Sequence, residues 1–144
     1  METSQTLTFF TPKMPSGNGA IFVDVGISAG LPAPADDFSE TRISLDDELI
    51  SNKDTTFFAK VKGQSMIGAG LDDNDLLVID RSLEPANNKI AVCFLDGEFT
   101  VKRLRVSKNE IWLQPENPNY PIINITQEND FMIWGIVTNV IKKV

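Results

Sequence analysis

The dipeptide Asp96-Gly97 separates two runs of β-branched and apolar residues, Lys89–Leu95 and Glu98–Val106. Asp-Gly between such runs is the strongest short-range sign of a β-hairpin, because both residues tolerate the positive φ angles of a two-residue turn. The sequence therefore predicts an antiparallel hairpin at residues 89–106, with further strands beside it.

Similar runs recur along the chain between polar turns. Those that predict strands are Thr56–Lys62, Leu76–Asp80, Glu110–Gln114 and Phe131–Val144. The last run is apolar enough to predict a long, largely buried strand or pair of strands. Upstream, Leu7–Phe10 and Ile21–Val25 are strand-like, and Arg42–Ile50 predicts one short helix with Ser44 and Asp47 spaced as a capping box. Short strands at roughly 8–12-residue spacing predict a mainly β domain.

The composition limits both the class of protein and its chemistry. The length of 144 residues suits one domain, and a formal net charge of −7 disfavours the phosphate-driven binding of nucleic acid. No histidine is present, which excludes Ser-His-Asp and Cys-His catalysis. Cys93 is the single cysteine, so neither an intrachain disulfide nor a cysteine zinc site can form. An enzyme of this composition needs a carboxylate, lysine, tyrosine or terminal group as its base, and we expect neither a metal nor a cofactor.

The start of the chain and its apolar runs bear on the compartment. Residues Met1–Gln5 lack the basic and apolar regions of a signal peptide. No apolar stretch approaches the ~20 residues of a transmembrane helix. Together with the lone cysteine, these features predict a soluble cytoplasmic protein that does not enter a membrane.

Lys102 lies in the second strand of the predicted hairpin, on an apolar face. Strand alternation puts it beside Leu104 and Val106 and opposite Arg103 and Arg105. Burial removes hydration from a lysine ammonium and so lowers its pKa, and a neutral lysine can act as a general base. The alternative, which periodicity alone favours, is a lysine at a sheet edge whose amine reaches water.

Ser65 follows Gly63 and Gln64, directly after a predicted strand. Gly63 permits a tight turn that could present the Ser65 hydroxyl at the mouth of a short helical turn, where backbone N–H groups could form an oxyanion hole. Because the chain has no histidine, lysine is the leading group that could activate a serine. A serine after a glycine is also common in ordinary turns, and Ser65 taken alone favours that interpretation.

Two longer stretches resemble a known family. Gly63–Asp80 (GQSMIGAGLDDNDLLVID) and Asp96–Leu104 (DGEFTVKRL) closely resemble the LexA/UmuD family of self-cleaving serine peptidases. The serine of that family's Gly-Asp-Ser-Met motif matches Ser65, and the lysine of its Glu-x-Thr-Val-Lys strand matches Lys102, 37 residues further on. Gln64 stands where the family usually has aspartate, a departure that concerns the geometry of the turn and not the serine–lysine pair.

The resemblance also implies a division of the chain. Ala29-Gly30 lies 35 residues before Ser65 and matches the Ala-Gly or Cys-Gly bond that the family cuts in an upstream loop. Residues 1–29 would be an extended N-terminal arm removed by self-cleavage, and residues 30–144 would be the Ser-Lys peptidase domain. The fold implied is a LexA/signal-peptidase-like, β-strand-rich catalytic domain. The small side chains of Ala29 and Gly30 would suit a narrow cleft, and they would equally suit a flexible loop.

The mechanism that the resemblance implies is acyl transfer within the chain. Neutral Lys102 would take the proton of Ser65, whose Oγ would attack the Ala29 carbonyl carbon. The backbone N–H groups of Ser65 and Met66 would hold the oxyanion. Lys102 would then protonate the departing Gly30 amine, and water would release the acyl group.

The region before the similarity, which starts near Val23, bears on the biological role. About 22 residues are too few for the helix-turn-helix domain of LexA-like repressors. The resemblance is therefore to the short UmuD-type members. It implies a homodimer that joins a UmuC-type translesion DNA polymerase in the SOS response, self-cleavage stimulated by a RecA filament on single-stranded DNA, and no direct DNA binding.

Three alternatives stay open: a non-catalytic dimerisation or interaction module of the same fold, the peptidase domain of a LexA-like repressor, and a type I signal peptidase relative. The absence of a membrane segment disfavours the last of these.

Overall fold

The computed structural model describes residues 6–13, 20–23 and 40–144. Within these ranges the elements are β1 Thr6–Phe10, β2 Ala20–Val23, β3 Glu40–Ile43, α1 Leu45–Leu49, β4 Thr56–Lys62, a 3₁₀ turn Ile67–Ala69, β5 Leu76–Asp80, β6 Ile90–Leu95, β7 Glu98–Ser107, β8 Glu110–Gln114, β9 Ile123–Ile125 and β10 Phe131–Ile141. The prediction of a mainly β fold is confirmed.

The chain divides into two compact units. One unit comprises Met1–Pro12 and Asn52–Val144, and the other comprises Lys13–Ser51. In the smaller unit β2 pairs antiparallel with β3, and the Ser44 hydroxyl caps α1 by accepting a hydrogen bond from the Asp47 N–H at 3.4 Å. The predicted cap is present, but the helix is shorter than predicted because residues 42 and 43 belong to β3.

The larger unit is an eight-stranded antiparallel sheet with the strand order β1-β4-β5-β10-β6-β7-β8-β9. The predicted hairpin joins β6 to β7, with Leu95 opposite Glu98. Its turn residues Asp96 and Gly97 have φ angles of 49° and 90°, the positive values that a two-residue hairpin turn requires. Strands β4, β5 and β8 begin and end at the predicted residues.

The last strand joins the two halves of the sheet. Its first part pairs with β6 and its second part with β5, and the register shifts between Ile133 and Gly135 and again between Val137 and Asn139. Such irregularities bend a strand and increase its twist, which lets a sheet curl. The expectation of a largely buried strand is wrong, since the buried residues of β10 are Gly135 and Ile136.

Apolar side chains cover both faces of the sheet. The buried members of the first cluster are Ala59, Val61, Met66, Leu71, Leu77, Ile79, Val92 and Val101. Those of the second cluster are Ala91, Cys93, Leu104, Leu113 and Ile136. Because β7 contributes Val101 to the first cluster and Leu104 to the second, the middle of β7 is covered on both sides. No helix in the described part of the chain is long and apolar enough to cross a membrane.

Candidate active site

Lys102 lies in the middle of β7, between β6 and β8, and faces the second apolar cluster. It is directly opposite Ala91 of β6, and it is 1 % exposed. The alternative of an edge lysine that reaches water is therefore wrong. Leu104 is buried on the same face as predicted, whereas Val106 is 38 % exposed near the end of the strand.

Three oxygen atoms accept hydrogen bonds from the Lys102 amine. They are the Ser65 hydroxyl at 3.0 Å, the Thr100 hydroxyl at 2.7 Å and the Val101 carbonyl at 3.3 Å. All three acceptors are uncharged. An uncharged acceptor can therefore bond to both the protonated and the neutral amine. It does not give the ammonium form the full electrostatic stabilisation that a carboxylate would give.

Ser65 reaches Lys102 from the turn that follows β4. Gly63 has a φ of 121°, a conformation that side chains rarely adopt, so glycine at this position allows the chain to leave the strand sharply. Ser65 is then 2 % exposed, and Met66, which is fully buried in the first cluster, precedes the 3₁₀ turn. The turn therefore has the form expected from the sequence, with the hydroxyl at its start.

Several hydrogen bonds fix the backbone on either side of Ser65. The Gly63 N–H donates to Asp73 Oδ1 at 2.6 Å. The side-chain amide of Asn117 donates to the Gln64 carbonyl at 2.9 Å, and Asn117 is itself buried. Because Gln64 directly precedes Ser65, the Asn117 amide restrains the position of the hydroxyl that contacts Lys102.

Glu116 ties the serine turn to the lysine strand. Its backbone carbonyl accepts a hydrogen bond from the Gly68 N–H at 2.8 Å, and its carboxylate forms an ion pair with Arg103, the neighbour of Lys102. A Cβ atom at Gly68 would collide with that carbonyl oxygen. The absence of a side chain at Gly68 thus permits the close approach of the turn to Glu116.

The backbone N–H groups of Ser65 and Met66 lie at the start of this buried turn. Among the residues that the structure describes, no acceptor bonds to either N–H group. Buried N–H groups are nearly always paired in folded proteins. These two donors are therefore suited to an oxygen atom that arrives with a substrate.

Cys93 lies on the same face as Lys102 and is fully buried. Burial raises the pKa of its thiol to about 12, although the nearby charge of Lys102 acts in the opposite direction. A thiol with this pKa is protonated near neutral pH, so Cys93 packs as a small apolar residue and is not a competing nucleophile. In the described ranges no group of three or more His, Cys, Asp or Glu residues could hold a metal ion.

Sequence reasoning found the two central residues and missed two that position them. Thr100 lies two residues before Lys102 on the same strand face, so strand alternation could have identified it as a neighbour of the amine. Asn117 comes from a proline-rich connection between β8 and β9 that carries no periodic pattern. The predicted bond Ala29-Gly30 lies outside the described residues.

Comparison with known proteins agrees with this arrangement. The family model described as Peptidase S24-like matches residues 21–138. Protein ImpA of Salmonella typhimurium is 37% identical over 139 residues, which is 94% of each chain, and protein SamA of Salmonella typhimurium strain LT2 is 40% identical over 80% of this chain and 79% of its own. A LexA repressor of Paracidovorax citrulli is 38% identical over 81% of this chain but only 51% of the repressor. The family match covers more than half of the chain, and from it we conclude that this protein belongs to the Peptidase S24-like family, in the serine peptidase class.

Proposed function

We propose that this chain is a self-cleaving serine peptidase that cuts its own Ala29-Gly30 bond with Ser65 as nucleophile and Lys102 as base. The observation that carries the proposal is the 3.0 Å hydrogen bond between the Lys102 amine and the Ser65 hydroxyl, both of them buried. A nucleophile within hydrogen-bond reach of its base is the geometric requirement for this type of catalysis.

The base must be neutral before it can accept a proton. Lys102 is 1 % exposed, and the ammonium form loses most of its hydration in such a place. Desolvation lowers the pKa of a buried lysine, in some proteins by several units. We therefore expect a substantial neutral fraction of Lys102 at mildly alkaline pH.

The reaction then proceeds through an acyl-enzyme. As Ser65 Oγ bonds to the Ala29 carbonyl carbon, its proton moves to the Lys102 amine. The oxyanion accepts hydrogen bonds from the N–H groups of Ser65 and Met66. When the tetrahedral intermediate collapses, the bond to the Gly30 nitrogen breaks and that nitrogen takes the proton from Lys102. Water then attacks the ester, Lys102 accepts its proton, and the return of that proton to Ser65 Oγ releases the Ala29 carboxylate.

We propose in addition that the shortened chain acts as a homodimer with a UmuC-type translesion DNA polymerase in the SOS response, and that a RecA filament on single-stranded DNA stimulates the cut. Two observations support this role. The chain matches nearly the full length of the short relative ImpA. Its net charge of −7 agrees with contact to protein partners and not to DNA.

Gly30→Glu should remain uncut because a bulky, charged side chain next to the scissile bond does not fit a cleft suited to glycine. We expect at least a hundredfold slower cleavage, followed by gel electrophoresis and mass spectrometry. Gly30→Ala is the matched control and should still be cut, though more slowly. Efficient cutting of Gly30→Glu after residue 29 would contradict the assigned cleavage site.

The same variant separates loss of substrate from loss of catalysis. Gly30→Glu keeps Ser65 and Lys102 and should cut a Ser65→Ala chain supplied as substrate, provided that the arm of one chain can reach the site of another. Product from the Ser65→Ala chain in the mixture would demonstrate cleavage between chains. Product from the Gly30→Glu chain alone would show that residue 30 does not enter the site.

Asn117→Ala should slow cleavage about tenfold by releasing the Gln64 carbonyl next to the nucleophile. Loss of this buried hydrogen bond should also lower the free energy of unfolding by about 1–2 kcal/mol. Asn119→Ala is the control, because Asn119 is exposed and contributes only its backbone N–H to Asn117. Equal cleavage rates in the two variants, measured at the pH of fastest cleavage, would contradict a positioning role for Asn117.

A further inference from the structure

Strand β1 is an edge strand that lies before the proposed cut. It pairs with β4 over five residues, from Thr6 opposite Lys62 to Phe10 opposite Phe58. Leu7 and Phe9 pack against the first apolar cluster, whereas Thr8 and Phe10 are exposed on the other face. The alternation shows that β1 is recognised both through its backbone and through every second side chain.

Phe9 occupies an aromatic cleft, which we define as Phe57, Phe99 and Trp134. The Phe9 ring lies 4.7 Å from the ring of Trp134 and 5.1 Å from that of Phe99. Phe57 contacts the Trp134 ring at 5.1 Å. Aromatic pairs at these distances contribute beyond the area they bury, so Phe9 is the side chain on which binding of β1 should depend most.

Every member of this cleft belongs to the part of the chain after the proposed cut. Phe57 lies in β4, Phe99 in β7 and Trp134 in β10, and the pairing edge is β4 itself. Cleavage at Ala29-Gly30 would leave β1 in one fragment and its entire binding surface in the other. The contacts between β1 and the rest of the sheet are non-covalent. The cut at Ala29-Gly30 therefore does not itself break any of these contacts.

We propose that the edge of β4 that pairs with β1, together with the aromatic cleft, forms a binding site for one extended segment, and that β1 is its ligand. In the intact chain the site is filled by the tethered strand. After cleavage, which rests on the proposed function, β1 stays bound as a separate peptide that can exchange. The ligand class is an extended peptide that pairs antiparallel with β4 and places an aliphatic and an aromatic side chain two residues apart on one face.

The tether determines when the site can accept a second peptide. A covalently linked strand acts at a high effective concentration, so it competes strongly with peptides added at micromolar concentration. Cutting the tether removes this advantage. The intact chain should therefore ignore an added copy of β1, and the cut chain should bind it.

The test cuts the tether without the proposed active site. In a Ser65→Ala chain, a recognition sequence for a site-specific protease is inserted between Lys13 and Met14, one residue beyond the boundary between the two units. The protein is cut and then analysed by size-exclusion chromatography under native conditions. A fluorescently labelled peptide of residues 1–13 is then added to cut and uncut protein, and its anisotropy is measured. The binding of two variant peptides is compared with that of the unchanged one. One carries Phe9→Ala, because Phe9 is in the cleft, and the other carries Thr8→Ala, because Thr8 is exposed.

We expect the 1–13 fragment to co-elute with the remainder and to exchange with the labelled peptide. The Phe9→Ala peptide should bind at least tenfold more weakly, the Thr8→Ala peptide within about twofold of the unchanged one, and uncut protein not at all. Separation of the fragment on cutting, failure of the peptide to bind or exchange, or equal binding of the Phe9→Ala peptide would overturn the proposal. None of these results depends on Ser65. The proposed peptide-binding site can therefore be disproved even if the chain does cleave itself. Conversely, a wild-type chain that does not cleave itself leaves the result of this test unchanged.

Discussion

Ser65→Ala should abolish self-cleavage while the chain stays folded. The variant removes the Ser65 hydroxyl, which accepts a hydrogen bond from the Lys102 amine. It leaves the Thr100 and Val101 oxygens as acceptors for that amine. Loss of the nucleophile in a serine peptidase can lower the rate by about 10⁶-fold. The change removes one buried hydrogen bond, so the free energy of unfolding should change by only about 1 kcal/mol.

The measurement is the rate of appearance of the 30–144 fragment, with chemical denaturation to compare stability. Ser107→Ala is a suitable control because Ser107 is exposed at the end of β7. It should cleave at the wild-type rate. A Ser65→Ala chain that released residues 1–29 at the wild-type rate would show that another group attacks the bond.

Lys102→Arg should be inactive at every pH at which the protein is folded. A guanidinium stays protonated, so it cannot accept the proton of Ser65. Because burial of Lys102 favours its neutral form, cleavage of the wild type without any partner should rise with pH and level off below the ordinary lysine pKa of about 10.4. A rate that does not change with pH, or substantial activity in Lys102→Arg, would contradict the role of Lys102 as base.

Lys102 also affects stability, with a definite sign. A lysine whose pKa is lowered by folding binds fewer protons in the folded chain than in the unfolded chain. It destabilises the fold fully below the folded pKa, and this penalty disappears as the pH rises towards the unfolded pKa of about 10.4. Lys102→Met should therefore be inactive. Near pH 7 its free energy of unfolding should equal or exceed that of the wild type, and this difference should shrink at alkaline pH. Urea denaturation at pH 7 and pH 10 measures both effects.

The strands that sequence reasoning predicted well are those whose signals are local. Alternation and turn residues define β4, β5 and the hairpin of β6 and β7. By contrast β3 and β9 are only four and three residues long, so their pairing depends on the neighbouring strand and not on their own pattern. The exposure of much of β10 likewise depends on where the sheet bends. The apolar content of the run does not predict where that bend occurs.

The candidate site divides in the same way. Ser65 and Lys102 could be predicted because each lies in a motif with a fixed relation to a turn or a strand face. The contact of Asn117 with Gln64 joins residues that are 53 positions apart, and only the folded sheet brings them together. The bond at Ala29-Gly30 rests on resemblance and spacing alone and stays a prediction.

The most direct test of self-cleavage is intact-mass spectrometry of the purified wild-type protein during incubation at mildly alkaline pH. Two products should appear together, residues 1–29 and residues 30–144, and neither should appear in Ser65→Ala or Lys102→Arg treated in the same way. A wild-type chain that stays whole, or one that is cut at another bond, would contradict the proposed self-cleavage, and so would equal production of these fragments by the Ser65→Ala chain.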